Sequence, residues 1–169
     1  MFICSIGQSQ CENDLHYRVR VTLFTPLMSE KYLPGHIEAE ILDVTKLREK
    51  EILGKDDQYY VNYWPSGNKK PAVNPSQKYK GVNSIILYLD ENEIVNFIKS
   101  ANQDAQKITK SKSTFGNWKR GYNLFLNNCA DAIVRAFNLK VEEGITIPTY
   151  VYNKLIKNKK VCCNLVMNK

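Results

Sequence analysis

Residues 122–139, YNLFLNNCADAIVRAFNL, contain the clearest helical pattern of this chain. Apolar residues recur there with the spacing i, i+3, i+4, i+7 and i+8, which predicts a helix with one face in a hydrophobic core. The apolar positions are Cys129, Ala132, Ile133, Ala136 and Phe137. Asn127 or Asn128 is a natural N-cap, and Asp131 with Arg135 is expected to form an i, i+4 pair on the outer face. A cysteine therefore stands at the start of this helix.

The position of Cys129 has two interpretations. A helix N-terminus stabilises negative charge, so a cysteine there tends towards the thiolate, which is the nucleophilic form. The same residue begins the apolar face, where a buried thiol is ordinary. The two are compatible if the helix is anchored by its later apolar residues. We therefore expect the sulfur to emerge at the positive end of the helix.

Four segments in the first half of the chain alternate apolar and polar residues, as β-strands do. They are residues 17–25, 36–44, 57–65 and 83–89. The last is apolar enough to lie inside a sheet, and a charged loop with Gly54 joins the second to the third. Each of these segments is predicted to be a strand.

Helices dominate the second half. Asp90 and Glu93 form a capping-box pattern ahead of a helix, and a separate helix is predicted from near Asp104. Pro148 suits the first turn of a last helix that ends at about Lys159. Strands followed by helices predict a single α+β domain over residues 1–169, with an antiparallel sheet of about four to five strands packed against helices.

Composition limits the classes of protein to which the chain can belong. With 169 residues, 43% of them hydrophobic and 24% charged, it is typical of one globular domain. No apolar run approaches the roughly 20 residues that cross a membrane, and the N-terminus lacks the basic start of a signal peptide. We therefore expect a cytoplasmic protein, or one exported without a cleaved signal.

The net charge is +7, and lysines concentrate in residues 107–119 and 153–160. This charge is first explained as a solvated, lysine-rich surface. An anionic membrane contact through the C-terminal lysines is the alternative. No RNA-binding signature accompanies the lysines, so no specific nucleic acid is expected.

The five cysteines are odd in number and follow no signal peptide, so free thiols are expected. Cys4 and Cys11, and the adjacent Cys162 and Cys163, lack the spacing of a zinc site. The sequence therefore predicts neither a metal nor another cofactor.

Histidine is scarce, since the chain has only two. His36 opens a strand directly after a Pro-Gly pair, and alternation places it opposite the apolar face. That apolar face consists of Ile37, Ala39 and Ile41. His36 is therefore expected to lie outside the core and to face a cleft. His16, at the entrance to the first strand, is the less favoured rival for any base.

Five segments together resemble a known family: PGHIEAEIL, YYVNYWPSG, SIILYLDENEIVNFI, YNLFLNNCADAIVRAFNL and ITIPTYVYNKL. They are similar to the circularly permuted papain-like cysteine hydrolases of the NlpC type, found among bacterial effectors and toxins. In that family a Gly-His-aliphatic strand comes first, a Tyr-Pro strand follows, and Asn-Asn-Cys starts the nucleophile's helix. The resemblance covers residues 35–155. The papain-like core of the domain is expected to span about residues 17–158.

The resemblance implies a catalytic role for three residues. Cys129 matches the nucleophile and His36 matches the base. Asn62 is the best candidate for the third position, which orients the imidazole, although many members have an acidic residue or histidine there. Glu38 is the alternative, because it shares the face of His36 two residues along the strand.

Two further residues are candidates for substrate contact. Asn128 can donate to an oxyanion, although capping the helix also explains it. Trp64 either lines the cleft or packs in the core.

The implied function is a cysteine-dependent hydrolase that forms an acyl-thioester on Cys129 with His36 as base. Family substrates are peptide, protein and peptidoglycan-like amides, including side-chain amides, and we expect a monomeric bacterial effector involved in virulence. One alternative is an acyltransferase of the same fold. The other is a basic binding module without catalytic activity.

Overall fold

The computed structural model describes residues 16–26, 35–64, 67–68, 79–109, 128–142, 146–158 and 161–167. Its strands are β1 (Tyr17–Pro26), β2 (His36–Ile41), β3 (Tyr60–Val61), β4 (Tyr63–Trp64), β5 (Gly67–Asn68), β6 (Tyr79–Leu89) and β7 (Val161–Met167). Its helices are α1 (Val44–Glu49), α2 (Glu91–Thr109), α3 (Cys129–Ala136) and α4 (Pro148–Asn158). The fold is α+β, as the sequence predicts.

A five-stranded sheet forms the centre of the molecule, with the strand order β3-β2-β1-β6-β7. Every neighbouring pair is antiparallel, and β4 and β5 form a separate two-stranded ribbon. The predicted antiparallel sheet of four to five strands is therefore confirmed.

The two faces of the sheet differ in chemistry. One face is apolar along β1, β2 and β6, where Val21 pairs with Ala39 on one side and Ile85 on the other. All three of these side chains are buried. The opposite face carries polar residues, including Arg20, which forms an ion pair with Glu40 of the neighbouring strand. Strand alternation, with its period of two, produces this division.

Three helices contribute to the core on the apolar face. Ile94 of α2, Ile133 of α3 and Leu155 of α4 are fully buried in one cluster with the strand residues. The rings of Phe97 and Phe137 meet edge to face, with 5.5 Å between their centroids. Burying each such side chain contributes about 1.5–3 kcal/mol, so these contacts anchor α3 in the core. None of the helices in the described residues is long and apolar enough to cross a membrane.

The structure differs from the prediction of two helices after Asp90. The capping box is present, since the Glu93 amide donates to the Asp90 carboxylate at 2.9 Å. The helix then continues without a break from Glu91 to Thr109. Asp104 is buried and bonds Arg135 of α3, so a residue expected to start a helix instead joins two helices. The predicted pairing of Arg135 with its own helix neighbour is therefore wrong.

Three elements were not predicted, and one of them is the two-residue strand β5. Helix α1 occupies part of the predicted charged loop, and it has a single buried residue, Leu47, which is too little to produce a periodic pattern. Strand β7 forms in the C-terminal tail by pairing with β6. Its position in the sheet depends on a partner far away in sequence. The predicted strand over residues 57–65 is also shorter, because it is interrupted at Asn62.

Candidate active site

The start of α3 is fixed by a reciprocal capping box. Oδ1 of Asn128 accepts from the amides of Ala130, at 2.7 Å, and Asp131, at 3.2 Å. The Asp131 carboxylate accepts from the Asn128 amide at 2.8 Å. Nδ2 of Asn128 donates to the carbonyl of Thr146 at 2.9 Å, which ties the start of α3 to the segment before α4. Asn128 therefore acts as the N-cap. The cap fixes where the helix begins and so fixes the position of Cys129 in its first turn.

The sulfur of Cys129 lies against strand β2. It accepts a hydrogen bond from the backbone N–H of Ile37, and the N–H groups of Ala130 and of Cys129 itself also favour the thiolate. Two of these donors belong to the helix start and the third to the residue that follows His36. The nucleophile candidate and the histidine strand are therefore in direct contact.

The short length of β3 explains why the Ile37 amide reaches the sulfur. Successive N–H groups of a strand point alternately to its two neighbours. The Ile41 amide bonds Tyr59 on the β3 side at 2.8 Å, so the Ile37 amide points the same way. The ladder between β2 and β3 covers only Ala39 with Val61 and Glu40 with Tyr60. The Ile37 amide lies beyond its end and donates to Cys129 instead.

His36 and Asn62 form a buried hydrogen bond. Nε2 of His36 lies 2.7 Å from Oδ1 of Asn62, and the two residues are only 3% and 4% exposed. An amide oxygen only accepts, so Nε2 carries the proton and donates. The neutral imidazole then has its basic lone pair on Nδ1. Phe24 stacks on the ring, with 5.9 Å between centroids, and holds its orientation.

Burial keeps both Cys129 and His36 neutral. It lowers the pKa of His36 to about 4, against the opposing effect of the Asn62 hydrogen bond. It raises the pKa of the Cys129 thiol to about 11, although three N–H donors favour the thiolate. The expectation that the helix N-terminus produces a thiolate is therefore wrong for the resting protein, because desolvation outweighs the helix end.

Two expectations about exposure are also wrong. Cys129 is only 2% exposed, so its sulfur does not emerge at the helix end. His36 does lie on the face opposite Ile37, but that face is covered at this end of the sheet. Alternation determines which face a residue occupies, whereas the covering of that face depends on segments distant in sequence.

The rival residues are placed elsewhere. His16 precedes β1 at the end where Tyr17 pairs with β6, whereas His36 pairs with Phe24 near the other end of β1. The separation along the strand is roughly 25 Å, which removes His16 as a base for Cys129. Glu38 is buried on the face of His36, but the contact with the imidazole is made by Asn62.

Two of the predicted residues lie wholly or partly outside the part of the chain that the structure describes. The backbone of Trp64 is in β4, but its side chain is not described, and Asn127 also lies outside the described residues. The proposed oxyanion role of Asn128 stays a prediction, since both polar ends of its side chain are used in capping and in the bond to Thr146. Within the described ranges, no cluster of histidine, cysteine, aspartate or glutamate suits a metal ion.

A groove of about 310 Å³ lies at the opposite end of α3, lined by Leu89, Asn92, Glu93, Asn96, Ala136, Phe137 and Asn138. It is separated from Cys129 by the eight residues of the helix, or roughly 12 Å. It does not form part of the cysteine site.

The sequence did not predict that the Ile37 amide contacts the sulfur of Cys129. No side-chain pattern marks a backbone donor, because its availability depends on where the β2–β3 ladder stops.

No protein-family model, curated protein or solved structure matches this chain. Function therefore has to be inferred from the chain's own geometry.

Proposed function

We propose that this protein is a cysteine hydrolase with Cys129 as nucleophile, His36 as general base and Asn62 as the residue that orients the imidazole. One observation carries the proposal. The sulfur of Cys129 is bonded to the amide next to His36, while Nε2 of His36 is bonded to Asn62. Cys129 thus lies against the strand that His36 begins, and Asn62 bonds the imidazole, which supports proton transfer from the thiol to His36.

The first half of the reaction acylates the cysteine. Nδ1 of His36 accepts the thiol proton as the sulfur attacks the carbonyl carbon of an amide, forming a C–S bond. The tetrahedral intermediate then breaks its C–N bond, and the imidazolium returns the proton to the leaving amine. The acyl group remains on Cys129 as a thioester.

The second half releases the acid. Water gives a proton to Nδ1 as its oxygen attacks the thioester carbon. The C–S bond then breaks, the imidazolium returns this proton to the sulfur, and the carboxylic acid leaves with the thiol and the neutral imidazole regenerated. The backbone N–H of Cys129 at the start of α3 is a suitable donor for the oxyanion of both intermediates.

Asn62 supports this cycle by fixing the tautomer. Because its Oδ1 accepts from Nε2, the lone pair of the neutral ring stays on Nδ1. The neutral resting state means that the thiol is deprotonated during attack rather than beforehand. Burial of the sulfur further requires that a substrate displaces the residues that cover it.

The substrate class follows from the family resemblance. It consists of amide bonds in peptides, proteins or peptidoglycan-like polymers, in the setting of a bacterial effector of permuted papain-like fold. Acyl transfer to an acceptor other than water uses the same thioester and is the variant of this proposal.

A specific observation favours a second candidate, a basic binding module without catalysis. Cys129 and His36 are both almost fully buried, as structural residues are, and the chain has a net charge of +7. In that case the thiol packs in the core, and the lysines contact an acidic partner.

Acylation by p-nitrophenyl acetate separates the two candidates. The hydrolase should release a burst of one p-nitrophenol per protein and carry the acetyl group on Cys129, as found by peptide mapping. His36→Ala should slow acylation by about 100-fold or more, and His16→Ala serves as the matched control. Equal acetylation of all cysteines, or no effect of His36→Ala, would favour the binding module.

A further inference from the structure

Glu38 is a buried carboxyl that the proposed reaction does not use. It is 7% exposed and lies on the same face of β2 as His36, two residues along the strand. Residues at this spacing are roughly 7 Å apart. Within the described part of the chain, no hydrogen-bond donor contacts its carboxylate, and charge interactions with Glu40 and Arg20 act on it.

The surroundings of Glu38 are polar across three strands. Thr22 of β1 pairs with Glu38, and Ser84 of β6 pairs with Thr22. The hydroxyls of Thr22 and Ser84 are 3.1 Å apart and hydrogen-bonded, and both residues are buried. We call these three residues the polar row. An apolar row would have packed this position more cheaply, so the polar row is a candidate for ligand contact.

The nearest described cation is already engaged. Arg20 forms an ion pair with Glu40 through its terminal nitrogen. Glu40 repels the charge of Glu38 and Arg20 attracts it, so the two neighbours act in opposite directions. Burial raises the pKa of Glu38 to about 7, which measures how poorly the ionised carboxylate is compensated. A ligand that brought a positive charge and N–H donors would supply the missing compensation.

We infer that the polar row is a subsite for a cationic group, and that Glu38 binds the ammonium or guanidinium of a substrate whose scissile carbonyl lies at Cys129. The claim that the bound cation belongs to a substrate rests on the proposed hydrolase function. The claim that Glu38 binds a cation does not. Glu38 lies roughly 7 Å from His36 along the strand, so a single substrate can contact both residues. The predicted substrate class is therefore an amide with a lysine, an arginine or a free amine beside the bond cleaved.

The test measures binding of agmatine, which carries one guanidinium and one ammonium group. The protein is used as the Cys129→Ser variant, so that thiol chemistry does not contribute. Amide resonances of Ile37, Glu38 and Asn62 are followed by NMR during titration. Pimelate, a dianion of similar length, is the control ligand. Agmatine should cause saturable shifts at these amides, and pimelate should not.

Two variants assign the binding to Glu38. Glu38→Gln keeps the size of the side chain and should weaken agmatine binding at least tenfold. Glu49→Gln removes the same charge from an exposed position at the end of α1 and should leave the affinity unchanged. Unchanged affinity in Glu38→Gln, an equal loss in both variants, or absence of saturable shifts would overturn the inference.

The result can be told apart from failure of the hydrolase proposal. Agmatine binding without acylation of Cys129 would keep the cation site and reject the hydrolase. Acylation without agmatine binding would keep the hydrolase and reject the cation site.

Discussion

Nε2 of His36 lies 2.7 Å from Oδ1 of Asn62, and this bond joins the first residue of β2 to the single residue between β3 and β4. The bond orients the buried imidazole through the amide oxygen of Asn62, which can only accept a hydrogen bond. Asn62 interrupts a predicted strand at the position from which its side chain bonds His36. The interruption also ends the ladder that would otherwise engage the Ile37 amide, so one irregular position serves both His36 and Cys129.

The His36–Asn62 bond predicts an effect on stability for one substitution and an effect on the pKa of His36 for another. Asn62→Ala leaves the Nε2–H without its acceptor and should lower the free energy of unfolding by about 1–3 kcal/mol. Asn62→Asp retains an acceptor and adds a negative charge, which should raise the pKa of His36 by about 1 to 3 from its value of about 4. Chemical denaturation and NMR titration of the imidazole measure the two effects. The exposed Asn153→Ala is the control, and an unmoved pKa in Asn62→Asp would contradict the bond.

His36 and Glu38 should make opposite contributions to the pH dependence of stability. The pKa of His36 falls from 6.5 to about 4 on folding, so its contribution to stability is lost as pH drops through that window. The pKa of Glu38 rises from 4.5 to about 7, so its contribution is lost as pH rises through that window. Each amounts to about 3 kcal/mol at most, because one pKa unit is 1.36 kcal/mol.

Single variants separate these two contributions. The stability of Glu38→Gln relative to the wild type should increase as pH rises from about 4.5 to about 7. The stability of His36→Gln relative to the wild type should decrease as pH rises from about 4 to about 6.5. Urea unfolding across this range measures both differences. A stability difference that does not change with pH for either variant would show that folding does not shift the pKa of that group.

Asn128 should be important for stability independently of catalysis. Asn128→Ala removes the N-cap of α3 and the bond to the Thr146 carbonyl, and should cost about 2 kcal/mol or more. Asn128→Ser retains a capping oxygen but cannot donate to Thr146 in the same way, so its cost should be smaller. Equilibrium unfolding measures both. Equal costs for the two variants would show that capping contributes little.

The bond between Arg135 and Asp104 predicts unequal effects of removing each partner. Arg135→Met leaves a buried carboxylate without its guanidinium and should cost about 2 kcal/mol or more. Asp104→Asn still offers an oxygen to the guanidinium and should cost less. The exposed Arg48→Met is the matched control, with an expected change of less than about 0.5 kcal/mol. A larger loss from Asp104→Asn would contradict this account.

Much of the fold could be predicted because its signals are local. The alternation in β1 and β2, the capping box before α2, an asparagine N-cap at α3 and Pro148 at the start of α4 depend only on neighbouring residues. The break at Asn62 and the strand β7 were not predicted, because each depends on a partner distant in sequence. The choice of Asn128 over Asn127 as cap was equally open until the helix start was placed.

The sequence by itself determined that this chain is α+β, that a cysteine begins the helix after the Asn-Asn pair, and that His36 faces away from the apolar side of its strand. Those properties follow from periodicities of two and 3.6 residues. The tertiary structure decided that Asn62 rather than Glu38 bonds the imidazole, and that the Ile37 amide reaches the sulfur. It also decided the protonation of the site, because desolvation depends on what covers Cys129 and His36 and not on their own local sequence.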